Sequence, residues 1–158
     1  MTATLDRGNV LEREPGPLDG VPDWFNASRQ AGWARFQELP MPSRRDEEWR
    51  FANLRHLDFE GAQLPDPQSM GEHRGASGLE KRAARIGFFN DEMNEQELNL
   101  PEGVICLPLR LALEEHSDLV QEYFMKSEYP LGSAKFAALH QAHVSSGMFI
   151  YVPDGVVV

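Results

Sequence analysis

The side chains best suited to bind a metal ion are Cys106, His140 and His143. Cys106 is the only cysteine, and the two histidines are three residues apart in a predicted helix. Thiolate and imidazole ligands in this combination would suit zinc or a similar transition metal. Zinc sites usually show closer groups of ligands, and His143 shares the apolar face of its helix with Phe136 and Leu139. We therefore interpret His143 as a core residue, and a metal-dependent enzyme using these three residues stays the less favoured alternative.

Acidic residues adjoin one another at Asp46, Glu47 and Glu48. Two carboxylates could act as a general acid and base, but adjacent helix residues face different directions and the helix dipole accounts for acids at a helix N-terminus. The serines of residues 145–147 lack the flanking pattern of a nucleophile elbow. The sequence contains no phosphate-binding loop, dinucleotide glycine motif or metalloprotease helix. We therefore predict that the chain is not an enzyme.

Trp49 and Arg50 form the most distinctive pair of neighbouring side chains. Arg50 could contact a partner protein. Alternatively, Trp49 packs against Trp33 or Phe36 while Arg50 pairs with an acid such as Glu47. We favour the structural interpretation because a Trp side chain buries more apolar area than any other. On this interpretation Trp49→Ala costs about 3 to 5 kcal/mol.

The N-terminal part of the chain is predicted to contain a flexible tail and a helical hairpin. Residues 1–20 contain glycines and prolines among charges, and ordering them would cost more entropy than their contacts return. Residues 21–59 predict two helices joined by the turn LPMPS. The first helix has an apolar stripe at helical spacing, formed by Phe25, Gly32, Phe36 and Leu39 with Trp33 beside it. The second begins at Ser43, which with Asp46 resembles a capping box.

The central part of the chain predicts a loop followed by mixed helices and strands. Residues 60–82 show neither a helical nor a strand period and are predicted to be a loop or linker. Residues 83–147 are predicted to be an α+β part of the same N-terminal domain, with strands at 86–89 and 103–107. The helices of this part are predicted to begin at Pro108, Ser117 and Ser133, and the last to end at Gly147.

The last residues of the sequence predict the beginning of a sheet. Met148–Val152 is a strand candidate, residues 153–155 (Pro-Asp-Gly) form a turn, and residues 156–158 are three valines that predict a second strand. Such an apolar edge is prone to aggregate unless something covers it. We expect the natural chain to continue there, and pairing with a second copy to form a homodimer is the alternative.

Composition restricts the class of protein. The 158 residues, of which 41% are hydrophobic and 25% charged, suit about one globular domain. A net charge of −10 disfavours nucleic acid and anionic membrane surfaces as partners. No apolar run is long enough to cross a bilayer. The single cysteine and the absence of a signal-like N-terminus favour the cytoplasm.

Three stretches of the chain carry a family resemblance. Residues 24–57 resemble the N-terminal helical region of the SufB/SufD family of iron–sulfur cluster assembly scaffolds, in which a Leu-Pro-x-Pro turn leads to Glu-x-Trp-Arg. The matching positions are Arg29, Phe36, Leu39, Pro40, Pro42, Glu47, Glu48, Trp49 and Arg50. Residues 100–124 resemble the family's Leu-Pro-x-Gly-Val turn and strand with paired helices. Residues 135–158 are similar to the helix and strand that lead into the family's right-handed parallel β-helix.

The chain departs from the family pattern in three places. Phe51-Ala52 follows the Trp-Arg pair where the family usually has Tyr-Thr, Asn90-Asp91 stands where Asn-Gly is common, and His140 stands where Asn is common. The family's residues implicated in cluster assembly lie in the β-helix and C-terminal helices, so no catalytic, cofactor or metal residue carries over. We expect the family-motif residues of this chain to be structural: Arg29, Phe36, Pro40, Pro42, Glu48, Trp49, Arg50, Phe136, Gly147, Pro153 and Gly155.

The resemblance implies a fold and a function together. It implies an α+β chain, mainly a helical N-terminal domain with a few short strands, in which residues 148–158 are the first strands of a truncated parallel β-helix. The first block favours SufD over SufB. The implied function is non-catalytic support of cluster assembly with a SufB-like scaffold and a SufC-like ATPase, the full complex handling the cluster. A free-standing acidic interaction module is the alternative.

Overall fold

The structure is a computed structural model and describes residues 9–51, 82–89, 92–127 and 133–158. The chain divides into two compact units, residues 1–64 with 121–144 and residues 65–120 with 145–158. The elements in chain order are α1 (Asp23–Glu38), a 3₁₀ turn (Glu47–Trp49), β1 (Ala84–Phe89), β2 (Glu92–Leu98), β3 (Ile105–Pro108), α2 (Leu109–Glu115), α3 (Ser117–Tyr123), α4 (Ala134–His143) and β4 (Met148–Tyr151).

Helix α1 forms where the apolar stripe predicts it. Pro22 precedes its first turn, and Leu39 leaves the helical conformation (φ −77°, ψ 139°) because the proline that follows it disfavours a helical residue before it. The buried side chains are Phe25, Arg29, Gly32 and Phe36, spaced by four, three and four residues. The predicted stripe is thus confirmed at three positions, and Arg29 completes it as a buried polar residue.

Helix α4 begins at the predicted cap and ends earlier than predicted. The Ser133 hydroxyl accepts a hydrogen bond from the Lys135 backbone N–H at 3.2 Å. The helix ends at His143 rather than at Gly147. Gly147 has φ +146° in the loop that follows, and its carbonyl accepts a hydrogen bond from the Leu109 N–H at 2.8 Å. Gly147 therefore accepts a hydrogen bond from the start of α2 and does not end α4.

Helices α1 and α4 pack against each other in antiparallel directions. A Cβ atom on Gly32 would lie 2.9 Å from the Ala142 backbone nitrogen and 3.0 Å from the Ala138 carbonyl oxygen. Gln141 donates hydrogen bonds to the backbone carbonyl and the hydroxyl of Ser28. The absence of a side chain at Gly32 and the small alanines opposite it allow this close approach.

An aromatic cluster joins the start of α1 to the residue that follows α3. The ring of Phe124, just after α3, lies 5.1 Å from Phe25 and 5.9 Å from Trp24. Such tilted and edge-on ring pairs contribute beyond their buried area.

Two residues of the segment that the sequence assigns to a tail, Gly16 and Leu18, form hydrogen bonds with α1. Asn26 accepts a hydrogen bond from the Leu18 N–H and donates one to its carbonyl, at 2.9 and 3.0 Å. The Arg29 guanidinium donates to the Gly16 carbonyl at 2.8 Å. These bonds satisfy both backbone groups of Leu18 and fix the path of residues 16–18. The predicted domain boundaries otherwise stay predictions.

The described part of the segment after α1 consists of consecutive turns. Asp46 accepts a hydrogen bond from the Ser43 N–H at 2.7 Å, which is one half of the predicted capping box. The other half is absent, because the Ser43 hydroxyl accepts from the Arg45 N–H at 3.2 Å, while the Asp46 N–H donates to the Ser43 carbonyl. This segment leads into the 3₁₀ turn Glu47–Trp49. Residues 52–59 of the predicted second helix, and with them the hairpin, lie outside the described residues, as do residues 60–81 of the predicted loop.

The second unit contains two small antiparallel sheets. β1 pairs with β2, with a register shift between Gly87 and Phe88, and Arg82 and Arg85 form ion pairs with Glu97 and Glu95 at 2.7 and 3.3 Å. The hydrogen bond and charge of Arg82 lower the pKa of Glu97. β2 was not predicted, because the sequence EMNEQEL has too few apolar residues to show a strand period.

The second sheet consists of β3 and β4, in which Cys106 lies opposite Ile150. α2 follows Pro108 directly and buries Leu109, Ala112 and Leu113, as predicted. The described strands are all paired antiparallel, and residues 156–158 form no strand, contrary to the prediction. The described chain is therefore an α+β mixture without a parallel sheet.

Among the described residues, no helix is both long and apolar enough to cross a bilayer.

Candidate partner-binding groove

A groove of about 600 Å³ lies in the first unit, where α1 ends and α4 begins. Its other walls come from three segments: the residues after α1, the 3₁₀ turn and the residues just after α3. The lining residues are Arg35, Leu39, Pro40, Pro42, Asp46, Trp49, Met125, Lys126, Ser127, Ser133, Ala134, Lys135, Ala137, Ala138 and Gln141. This volume falls within the range that is usual for ligand-binding pockets in proteins.

Lys135 joins the two helices at this groove. Its ammonium group donates to the Phe36 and Leu39 carbonyls, at 2.8 and 2.6 Å, and lies 4.2 Å from the centre of the Phe36 ring. These carbonyls belong to the end of α1, where the helix leaves backbone acceptors unpaired and the dipole is negative. Lys135 therefore stabilises the end of α1 from the first turn of α4.

Trp49 forms one wall of the groove and is half-buried. Its ring lies 6.3 Å from Phe136 of α4, whereas Trp33 stacks on Phe36 at 5.3 Å. The expectation that Trp49 packs on Trp33 or Phe36 is therefore wrong, because those two rings pair with each other. A partly exposed Trp face in a concave site is typical of binding hot spots.

Arg50 does not take the predicted partner. Its guanidinium lies over the ring of Phe51, 4.8 Å from the centre, rather than against Glu47. Phe51 is 87% exposed. The Arg50–Phe51 pair is thus a surface feature next to Trp49.

Among the described residues that line the groove, the charged side chains are mostly cations. Arg35 and Lys126 are exposed, and neither is paired with a carboxylate in the part of the chain that the structure describes. The acid in the described lining, Asp46, accepts a hydrogen bond from the Ser43 N–H. The described part of the groove lining is therefore basic, on a chain whose net charge is −10.

A second polar cluster lies inside the first unit, around Arg29. This side chain is only 4% exposed, and burial lowers the pKa of its guanidinium. The pKa of His143 is also lowered, first by burial and then by the charges of Arg29 and Arg13, while a hydrogen bond with the Val10 backbone acts in the opposite direction. Within the described residues, Nε of Arg29 and Nε2 of His143 have no hydrogen-bond partner.

The residues of the alternative metal site are placed as follows. Cys106 is buried in β3 of the second unit, and burial raises the pKa of its thiol, which disfavours the thiolate that binds metals. His140 is exposed on α4 of the first unit, and His143 lies edge-on to Trp33 at 5.9 Å. No three metal-binding side chains come together in the described part of the chain.

The family-motif residues fall in different parts of the structure. Pro40, Pro42 and Trp49 line the groove, and Arg29 and Phe36 belong to the buried face of α1. Phe136 lies on α4 against Trp49, and Glu48 lies in the 3₁₀ turn. Pro153 accepts a backbone hydrogen bond from Val156 in the turn that contains Gly155 (φ +78°).

Sequence reasoning missed the polar lining of the groove, namely Arg35, Lys126, Lys135 and Gln141. One signal was available for Lys135. A lysine in the first turn of a helix is unfavourable with the dipole of that helix, and so suggests an acceptor elsewhere.

Comparison with known proteins identifies the family. A family model described as the SufBD protein N-terminal region matches residues 85–158. The iron–sulfur cluster assembly protein SufD of Bacillus subtilis is 30% identical over 85% of this chain. SufBD family iron–sulfur cluster assembly proteins of Mycobacterium tuberculosis and Staphylococcus haemolyticus are 31% and 45% identical over 98% and 92% of it. The chain belongs to the SufB/SufD family of iron–sulfur cluster assembly proteins.

The chain covers only part of each relative. It spans 33% of the Bacillus protein, 20% of the mycobacterial protein and 34% of the staphylococcal protein. No solved structure matches the chain.

Proposed function

We propose that this chain is the N-terminal region of a SufD-like subunit and supports iron–sulfur cluster assembly without catalysing a reaction itself. The observation that carries the proposal is the match to SufD of Bacillus subtilis over 85% of the chain. Its partners would be a SufB-like scaffold subunit and a SufC-like ATPase in the cytoplasm, and the cluster would be built by the whole complex.

The arrangement of side chains supports a non-catalytic role. The described lining offers an aromatic wall and two exposed cations, and its carboxylate, on Asp46, already accepts the Ser43 N–H. This is the composition of a binding surface rather than of an acid–base site.

The proposal includes the finer expectation that residues 148–158 lead into a right-handed parallel β-helix. It is supported by the family match over residues 85–158 and by the exposed apolar side chains of Ile150 and Val152, which a neighbouring strand would cover.

Depletion of the full-length protein in its source organism tests this function. We expect enzymes that need iron–sulfur clusters to lose activity, while a cluster-free dehydrogenase in the same cells keeps its activity. Re-expression of the natural gene should restore the lost activity. Unchanged activity of the cluster enzymes after complete depletion, under iron limitation as well, would contradict the proposal.

A further inference from the structure

The groove between the end of α1 and the start of α4 has the shape and lining of a peptide site. Leu39, Pro40 and Pro42 form an apolar wall next to Trp49, and Ala137 and Ala138 contribute small side chains to the lining from α4. Concave sites with an exposed aromatic face bind side chains of an extended or helical segment.

Of the three cationic side chains in the described lining, two are free to contact a ligand and one is held by backbone carbonyls. The ammonium group of Lys135 is committed to the Phe36 and Leu39 carbonyls at 2.8 and 2.6 Å. Arg35 and Lys126 are exposed and have no such bonds in the described part of the chain. The amide N–H group of Gln141 is committed to Ser28. A ligand in the groove would therefore meet positive charge from Arg35 and Lys126.

The net charge of the chain and the local charge of the groove favour one kind of ligand over the others. A second copy would bring a net charge of −10 against another −10, and the overall field repels nucleic acid in the same way. A short acidic segment carries only a few negative charges and can place them directly beside Arg35 and Lys126, where a close attraction outweighs the screened field of the rest of the chain. Its apolar side chain would lie against the exposed part of Trp49.

We propose that the groove binds a short acidic peptide segment of a partner protein, with an apolar side chain against Trp49 and carboxylates near Arg35 and Lys126. This inference does not depend on which subunits are the partners. Met125 lies at the rim with φ +53°, and the flexible side chain of a methionine suits a surface that adapts to a bound segment.

The test uses the full-length protein and a fluorescein-labelled peptide in which glutamates flank a leucine–phenylalanine pair. A matched peptide has lysines in place of the glutamates. We expect the acidic peptide to bind, to weaken as sodium chloride is raised, and to bind the double variant Arg35→Glu, Lys126→Glu at least about fivefold more weakly. Arg110→Glu, in the second unit, is the charge-reversal control and should bind as the natural protein does.

Trp49 supplies an independent readout. Binding of an unlabelled acidic peptide should change the tryptophan emission of the natural protein, and Trp49→Phe should remove that change while circular dichroism shows the same fold. Equal binding of the acidic and basic peptides, or equal binding by the double variant, would overturn the proposal. An unchanged Trp49 emission would also overturn it, as would concentration-dependent dimerisation that the double variant abolishes, since the groove would then bind a second copy.

Discussion

Lys135 shows how one side chain can connect two helices. Its charge lies at the unfavourable end of α4 and is stabilised by carbonyls at the end of α1. Lys135→Met keeps the aliphatic stem and removes both charged hydrogen bonds. We expect the free energy of unfolding to fall by about 1.5 to 3 kcal/mol, measured by urea denaturation.

Lys126→Met is the matched control for this prediction. Lys126 is exposed, and its side chain makes no such bonds with the described residues, so its loss should change the free energy of unfolding by less than about 0.5 kcal/mol. Equal effects of the two substitutions would show that the Lys135 hydrogen bonds contribute nothing to stability.

His143 makes stability depend on pH. Its pKa in the folded chain lies below the ordinary value of 6.5, because it is buried and faces the charges of Arg29 and Arg13. The unfolded chain therefore takes up the proton first as the pH falls. The contribution of neutral His143 is complete above pH 6.5 and is lost progressively below it, down to the lower pKa of the folded state.

The change is measured by urea denaturation between about pH 7.5 and about pH 5. We expect His143→Gln to lose part of the decrease in stability that the natural protein shows over this range. His140→Gln, at an exposed position of the same helix, is the control. The effect would be disproved if the free energy of unfolding changed with pH in the same way in the natural protein and in His143→Gln.

At the scale of elements, the contact of α1 with α4 depends on Gly32. A methyl group there would meet backbone atoms of α4 at 2.9 and 3.0 Å, and backbone cannot move aside as a flexible side chain can. We expect Gly32→Ala to lower the free energy of unfolding by about 1 to 3 kcal/mol, although alanine is the better helix former. Thermal denaturation followed by circular dichroism measures the change.

Gly16→Ala is the control, since a Cβ atom at Gly16 would have nothing within 4 Å. It should leave stability unchanged or raise it slightly. If Gly32→Ala is as stable as Gly16→Ala, the helices are not as closely packed as the structure has them.

Ser133 tests the start of α4 separately from its packing. Its hydroxyl caps the helix through the Lys135 N–H, so Ser133→Ala should cost about 1 kcal/mol and Ser133→Asp should keep most of the stability. Urea denaturation of the three proteins side by side is the measurement. Equal losses for alanine and aspartate would exclude capping as the reason.

The elements that the sequence predicts correctly are those with a strong local signal. The spacing of Phe25, Gly32 and Phe36 predicts α1, and Pro108, Ser117 and Ser133 mark helix starts that the structure confirms. β2 escapes prediction because it has too few apolar residues to show a strand period, and its pairing with β1 is a contact between segments rather than a pattern within one. The end of α4 was predicted wrongly for a similar reason, because the Gly147 carbonyl accepts a hydrogen bond from Leu109 of α2.

The groove is even harder to predict from the sequence, because it too depends on contacts between distant segments. Its lining comes from residues 35–49 and 125–141, which are far apart in the sequence and meet only through the packing of α1 on α4. Trp49 was recognised as distinctive from the sequence, but its contact with Phe136 could not be derived without that packing.

At the scale of the whole molecule, the family assignment rests on more than one part of the chain. The family model matches residues 85–158, while SufD of Bacillus subtilis aligns with 85% of the chain, so the match extends into the helical first unit that contains the groove. The proposed role as a SufD-like subunit is therefore tested best on the full-length protein with its partners.

Co-expression of the full-length protein with the SufB-like and SufC-like subunits of its source organism is the most direct test. We predict that an affinity tag on this protein alone recovers all three subunits, and that they elute together in size-exclusion chromatography with light scattering. Recovery of the tagged protein alone, when each of the other subunits is soluble and folded, would contradict the account.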